Sequence, residues 1–192
     1  MAFNKLTKSA ALLATATMVM PAAAHEGASH AHGSFMAGLL HPLSGVDHLA
    51  ALLLFGALLA GLLGKEITRS LLAAVVSLSV GFGGGLILGG HVAMEWLIVG
   101  SSAVFAALMF VPTSARGKAV LAVASLLVAH GWAHGAEMAS DSAPLFMAGF
   151  LMASLAIMAA GLPLGRLIAD MKPVVRAAVS AMLAAGLMLI AG

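Results

Sequence analysis

Residues 41–64 read HPLSGVDHLAALLLFGALLAGLLG, in which two histidines and an aspartate are followed at once by a long run that is apolar on every side. Such a run is typical of a helix surrounded by lipid or by other apolar helices, because no polar stripe is left to face water. Ionisable side chains at the start of this helix are costly unless a partner or a bound ion compensates them. The stretch therefore predicts a membrane helix whose first residues are polar and have a function.

The composition of the whole chain indicates the same solvent. Of its 192 residues, 62% are hydrophobic and only 8% are charged, which is too few charged groups to cover the surface of a soluble domain. We therefore predict an all-α polytopic membrane protein whose partner is the lipid bilayer. The absence of cysteine excludes disulfides, thiolate metal sites and iron–sulfur clusters. A net charge of +2 gives no indication of a nucleic-acid partner.

Residues 1–24 have the organisation of a cleaved signal peptide. Lys5 and Lys8 precede a short apolar stretch at 10–20, and small residues ending at Ala24 follow. The alternative is an uncleaved first transmembrane helix, but the apolar part is shorter than the roughly 20 residues that a bilayer span needs. Cleavage after Ala24 would give a signal peptide (1–24) and a membrane domain (25–192) with a histidine-containing outer tail (25–34).

Six apolar segments, divided by short polar or Gly/Pro-containing turns, follow the tail. Each is long enough to cross roughly 30 Å of hydrocarbon as a helix. A continuous helix is the expected form, because unpaired backbone groups in lipid are costly. The predicted fold is a six-transmembrane-helix bundle with spans at about 35–63, 70–88, 92–111, 119–138, 144–164 and 173–191.

Two local features modify these helices. Pro42 lies just after His41 and is predicted to end a helical turn or to kink the first span. In the second span Gly81, Gly85 and Gly89 recur every four residues, which predicts a groove for the close packing of another helix.

The basic residues of the membrane domain set its orientation. They all lie in or beside the turns after the first, third and fifth predicted spans: Lys65, Arg69, Arg116, Lys118, Arg166, Lys172 and Arg176. The positive-inside rule makes that side cytoplasmic. The mature N-terminus is then periplasmic, in agreement with a cleaved signal, and the predicted location is the bacterial inner membrane.

Six ionisable residues of the outer side fall on two spans. His130, His134 and Glu137 are related as i, i+4 and i+7, so a continuous fourth helix presents them on one face. The first span carries a similar set, in which two histidines are i, i+7 neighbours: His41, Asp47 and His48. If the two spans pack together, four imidazoles and two carboxylates surround one cavity, which predicts a divalent-cation site. This ligand set favours Ni2+, Co2+ or Zn2+ over Cu(I).

Three further residues are candidate metal ligands with an alternative explanation. His91 and Glu95 begin the third span from outside, where they either bind metal or form hydrogen bonds between helices. His25 would become the first residue after cleavage, and its free amine and imidazole can chelate an ion together. The alternative is that the tail histidines are a solvated linker.

The two histidine-containing stretches resemble a known family. Residues 41–48, HPLSGVDH, resemble the H-P-x-x-G-x-D-H signature of HupE/UreJ proteins, and residues 129–137, AHGWAHGAE, resemble the family's H-x-x-A-H-G-x-E pattern. Ala129 stands where the family has an aromatic residue, a position that is not a ligand. The signal sequence, six spans and short loops also fit, so the resemblance covers essentially the whole chain.

The resemblance implies a bacterial membrane protein for nickel uptake, with cobalt in some members, that serves hydrogenase or urease assembly through downstream nickel chaperones. The metal-handling residues that it implies are His41, Asp47, His48, His130, His134 and Glu137. We therefore expect a permease that moves Ni2+, or else Co2+, from the periplasm to the cytoplasm. Neither a prosthetic group nor an enzymatic activity is expected.

Two other classes of function stay open. In an intramembrane zinc-dependent hydrolase, three histidines would hold the ion and Asp47 or Glu137 would be the general base, although the sequence contains no H-E-x-x-H helix. A metal-binding sensor or accessory subunit would bind the ion without transporting it. Metal flux distinguishes the permease from both.

Overall fold

The computed structural model describes residues 35–138, 143–172, 174, 175 and 178. Every regular element in these ranges is helical, which confirms the prediction of an all-α protein. The predicted signal peptide, the outer tail with His25 and most of the predicted sixth span lie outside the described residues.

Seven α-helices form the described part of the chain. In chain order they are α1 (Phe35–Ser44), α2 (Val46–Leu58), α3 (Gly64–Leu88), α4 (Val92–Leu108), α5 (Thr113–Val123), α6 (Leu127–Ala136) and α7 (Ala143–Ala169). One turn of 3-10 helix (Ala124–Leu126) joins α5 to α6, so residues 113–136 form one long helical segment.

Three of these segments are long and apolar enough to cross a membrane, namely α3, residues 113–136 and α7. The pair α1 and α2 adds a fourth crossing if its two bent halves count as one span. α4 is apolar but has only 17 residues, about 26 Å at 1.5 Å per residue, which is less than the hydrocarbon thickness. The described residues thus contain three or four candidate spans, against six predicted for the whole chain.

The first predicted span, 35–63, is not a continuous helix. α1 and α2 meet at 87°, and the break lies at Gly45, whose backbone is extended (φ −99°, ψ 118°). Pro42, predicted to kink the span, lies inside α1 instead. A Cβ atom on Gly45 would lie 3.0 Å from Asp47 Oδ1 and 3.2 Å from His48 Nδ1. Glycine therefore lets these two side chains fold back over the break.

Glycine contacts hold α6 against α3. A Cβ atom on Gly131 would collide with the carbonyl group of Leu78, and one on Gly135 would collide with that of Phe82. The prediction of a packing groove on α3 agrees with the structure at two positions, Gly81 and Gly85, which face the backbone of α6. Gly89 instead ends α3 with φ 75°, and its carbonyl oxygen accepts a hydrogen bond from Trp132 Nε1 at 2.8 Å.

α7 is packed in the same way against both halves of the bent pair. Gly149 lies against the backbone of Phe35 in α1, and Gly161 lies against that of Leu53 in α2. Close backbone contact of this kind is the main source of helix association in membranes, because lipid provides no hydrophobic driving force. All three helices that carry the two histidine motifs are therefore fixed by glycine packing.

The basic residues near the turns after the first and third predicted spans share one end of the bundle. Gly61 approaches Thr113, and Gly117 approaches the side chain of Glu66, so the beginnings of α3 and α5 are neighbours. α3 and α6 are parallel, because Leu78 lies opposite Gly131 and the later residue Phe82 lies opposite the later residue Gly135. The residues placed together at this end are Lys65, Arg69, Arg116 and Lys118.

Candidate metal centre

Residues of α1 and of the end of α6 form the first set of candidate ligands. His41, His134 and Glu137 each offer a nitrogen or oxygen atom, and these atoms all lie within 4.8 Å of one another. Ligands of a tetrahedral first-row ion lie about 3.4 Å apart, given bonds of about 2.1 Å, so small rotations of the side chains would close this site. A hydrogen bond of 3.2 Å joins His41 Nε2 to Glu137 Oε2.

The second set of imidazoles lies next to the first and shares one member with it. The His134 ring centroid is 4.6 Å from that of His41 and 4.4 Å from that of His48. The His48 ring in turn is 5.0 Å from that of His130. Four histidine rings therefore form a continuous row from His41 to His130, with His134 between the two sets.

Several buried nitrogens of this row lack hydrogen-bond partners. His130 and His134 are 1% and 4% exposed. Among the described residues, four buried imidazole nitrogens have no partner: His48 Nε2, His130 Nδ1, His134 Nδ1 and His134 Nε2. Leaving a buried polar atom unpaired costs about 1–3 kcal/mol. A neutral imidazole has one lone pair, so the three rings together offer lone pairs that point to a shared ligand.

The remaining nitrogens of two of these rings are held by neighbouring side chains. Asp47 Oδ1 accepts hydrogen bonds from the His48 backbone N–H at 2.9 Å and from His48 Nδ1 at 3.0 Å, so Nε2 is left for a ligand. Ser101 Oγ in α4 lies 2.9 Å from His130 Nε2. Metal-binding histidines commonly have such a partner behind them, which fixes the orientation of the ring.

Comparison with known proteins assigns the chain to a family. The family model described as HupE / UreJ protein matches residues 12–189. The chain belongs to the HupE/UreJ family. It is 31% identical over 173 residues to Protein HupE from Rhizobium leguminosarum bv. viciae, which covers 87% of this chain and 86% of that protein. No solved structure matches the chain. The predicted resemblance to this family is thus confirmed.

In this HupE/UreJ chain, the two motif stretches that were recognised in the sequence meet in space. The first stretch supplies His41 from α1 and Asp47 and His48 from the first turn of α2. The second supplies two rings from α6 and the carboxylate that follows its last residue. All six predicted motif residues therefore lie in one region, and Asp47 is placed behind His48.

His91 and Glu95 lie at the edge of this region. His91 is the N-cap of α4, where its Nδ1 accepts a hydrogen bond from the Ala93 backbone N–H at 3.2 Å. Glu95 is exposed in the first turn of the same helix. Both line a cavity of about 410 Å³ together with Asp47, His48 and Glu137. They face the cavity but do not belong to the three-residue ligand group.

Ser101 is the site residue that the sequence did not reveal. It is 1% exposed and lies in an apolar helix without a motif of its own. The only local signal is the pair Ser101 and Ser102 within α4. A pair of serines indicates a polar position, but it does not show which helix that position faces.

Proposed function

We propose that this HupE/UreJ protein is a permease that moves a divalent transition-metal ion, with Ni2+ preferred over Co2+, from the periplasm to the cytoplasm. The observation that supports the proposal best is the row of histidines in which four buried nitrogens have no partner. Neutral imidazole with a carboxylate is a ligand set suited to Ni2+, Co2+ and Zn2+. The ion is the cargo of this site rather than a resident cofactor.

The arrangement of the ligands suggests two successive positions for the ion. An ion that enters the cavity meets the carboxylates on its wall, of which Glu137 belongs to the first set with His41 and His134. His134 also contacts His48, whose ring leads to His130. Transport requires that the ion can leave its site, either because binding is weak or because several sites share the ion. His134, which belongs to both sets, would let the ion pass from the first set to the second.

The walls of the site explain how binding would be restricted to ions that shed water. The ring of Phe146 packs against His41 and that of Phe150 against His134. Phe82 stacks on both phenylalanines, and all three rings are at most 2% exposed. An apolar wall cannot replace lost hydration, so the imidazoles must do so, which favours ions with high affinity for nitrogen.

The topology and biological role belong to the same proposal. We propose cleavage of residues 1–24, a membrane domain at 25–192 with six spans, and a periplasmic mature N-terminus in the inner membrane, with the shared basic end facing the cytoplasm. The delivered nickel would pass to chaperones of hydrogenase or urease assembly, as the family resemblance implies.

Ion flux is the direct test of the permease. The full chain reconstituted in liposomes is expected to accumulate Ni2+ and Co2+ inside the vesicles faster than protein-free liposomes, and Zn2+ more slowly. Tight binding of Ni2+ without accumulation would contradict transport and would support the sensor or accessory role. The protein-free liposomes, exposed to the same ions, give the leak control.

A second prediction separates the two explanations of His91. Because asparagine is a good N-cap, His91→Asn should keep Ni2+ uptake close to that of the wild type, whereas His91→Ala should lower the free energy of unfolding by about 1 kcal/mol. The measurements are uptake in vesicles and the melting temperature in detergent. If uptake is lost equally in both variants while their stabilities differ, His91 is a ligand and the capping explanation is insufficient.

A further inference from the structure

The hydroxyl of Ser101 has two neighbours and only one proton to donate. Its Oγ lies 2.7 Å from the Ile98 carbonyl oxygen, to which it donates, and 2.9 Å from His130 Nε2. A carbonyl oxygen can only accept a hydrogen bond. With its proton directed to Ile98, the hydroxyl can meet the ring only as an acceptor, and the ring must supply the proton.

We infer that Ser101 is a positioning residue that fixes His130 in the tautomer with the proton on Nε2, so that Nδ1 carries the free lone pair. This inference rests on the proposed function, because it names the atom through which His130 binds the ion. The buried Nδ1 is the His130 nitrogen without a partner. The opposite tautomer would place a proton on that atom, leaving a buried donor unpaired and no lone pair for a cation.

The same reasoning gives His48 the other tautomer. Asp47 Oδ1 accepts from His48 Nδ1, and the free nitrogen there is Nε2. The two neighbouring rings therefore present different nitrogens, each selected by an oxygen behind the ring. Tautomer selection by such a hydrogen bond is a general property of metal-binding histidines.

Ser102 offers a matched control on the same helix. It is 3% exposed, and its Oγ lies 3.5 Å from the same Ile98 carbonyl oxygen. Within the described residues, that is its side-chain hydrogen bond, and a histidine is not among its partners. Removing this hydroxyl takes away a buried serine oxygen of the same kind without touching His130.

Nitrogen NMR of the full-length protein tests the inference directly. The side-chain nitrogens of histidine are labelled with 15N, the metal-free protein is studied in detergent near neutral pH, and the His130 signals are assigned by their loss in His130→Gln. The proton is expected on Nε2 in the wild type, in Ser102→Ala and in Ser101→Thr, which keeps a hydroxyl. In Ser101→Ala both tautomers are expected, and Ni2+ should bind about 10-fold more weakly.

Zn2+, which is diamagnetic, provides the second readout. Added to the wild type, it should shift the Nδ1 signal of His130 and leave the proton on Nε2. A wild-type proton on Nδ1 would overturn the inference without any variant at Ser101. Equal tautomers and equal Ni2+ affinity in Ser101→Ala and Ser102→Ala would also overturn it. Failure of transport with the Nε2 proton in place would instead count against the permease alone.

Discussion

Replacing His134 with leucine is expected to abolish Ni2+ transport while the protein stays folded. His134 is the ring shared by both ligand sets, and neither of its buried nitrogens has a partner. Removing a partner behind a metal ligand already weakens binding by about 10–100-fold, so loss of the shared ligand should cost at least about 100-fold in Ni2+ affinity. The leucine side chain is similar in size to that of histidine. The substitution also removes two unpaired polar atoms, each of which costs about 1–3 kcal/mol when buried.

Loss of Ni2+ binding without loss of stability distinguishes a ligand from a packing residue. Ni2+ binding is measured by titration calorimetry in detergent and uptake in vesicles, and the melting temperature is recorded for the same samples. His91→Asn is the control, because it removes a cavity histidine outside the ligand group. Ni2+ affinity within about 10-fold of the wild type in His134→Leu would contradict the shared position, as outer-shell changes alone reach that size.

The sequence predicted the histidine face of α6 from spacing alone, because that helix is continuous. Residues 130, 134 and 137 keep the i, i+4, i+7 relation from α6 into its C-cap. The structure places His134 and Glu137 in one ligand group and His130 beside His48. The same reasoning applied to His41 and His48 differs from the structure. A helix break at Gly45 lies between them, so their i, i+7 spacing does not describe one helical face.

These two rings nevertheless reach His134, for a reason that a helical pattern does not contain. The 87° bend turns α1 across the end of α2, and glycine packing on α7 holds both halves. The sequence signal for the bend is the combination of Pro42, Ser44 and Gly45, because Pro42 alone does not place the break at Gly45. The Ser44 hydroxyl donates to the His41 carbonyl at 2.6 Å, which provides one of the hydrogen bonds at the break.

The roles of individual polar residues were less predictable than their location. That Asp47 is a ligand stays a prediction. Its Oδ1 accepts two hydrogen bonds from His48, an arrangement that depends on the backbone at Gly45. Ser101 reaches His130 across an interface between α4 and α6. Contacts of this kind depend on which helices are neighbours, and the periodicity of one chain segment does not encode that information.

The second large effect is expected from the glycines that hold α6 against α3. Replacing Gly135 with alanine places a Cβ atom against the Phe82 carbonyl group, 2.8 Å from its carbon and 3.0 Å from Leu86 N. All of these neighbours are backbone atoms, so they cannot move aside as a side chain would. The helices must separate, and His134, the neighbour of Gly135 in α6, must move with them. We expect a destabilisation of about 3 kcal/mol, the upper range of overpacking, together with loss of Ni2+ binding.

Gly83→Ala is the matched control for this prediction, because it makes the same substitution on α3 where a Cβ atom would meet nothing within 4 Å. Alanine is the better helix former by about 1 kcal/mol, so this variant should melt at or above the wild-type temperature and bind Ni2+ normally. Melting temperature and Ni2+ affinity are compared for both variants in the same detergent. If Gly135→Ala behaved like Gly83→Ala, the contact between α3 and α6 would have to be looser than the structure shows. The position of the histidine row would then require another support.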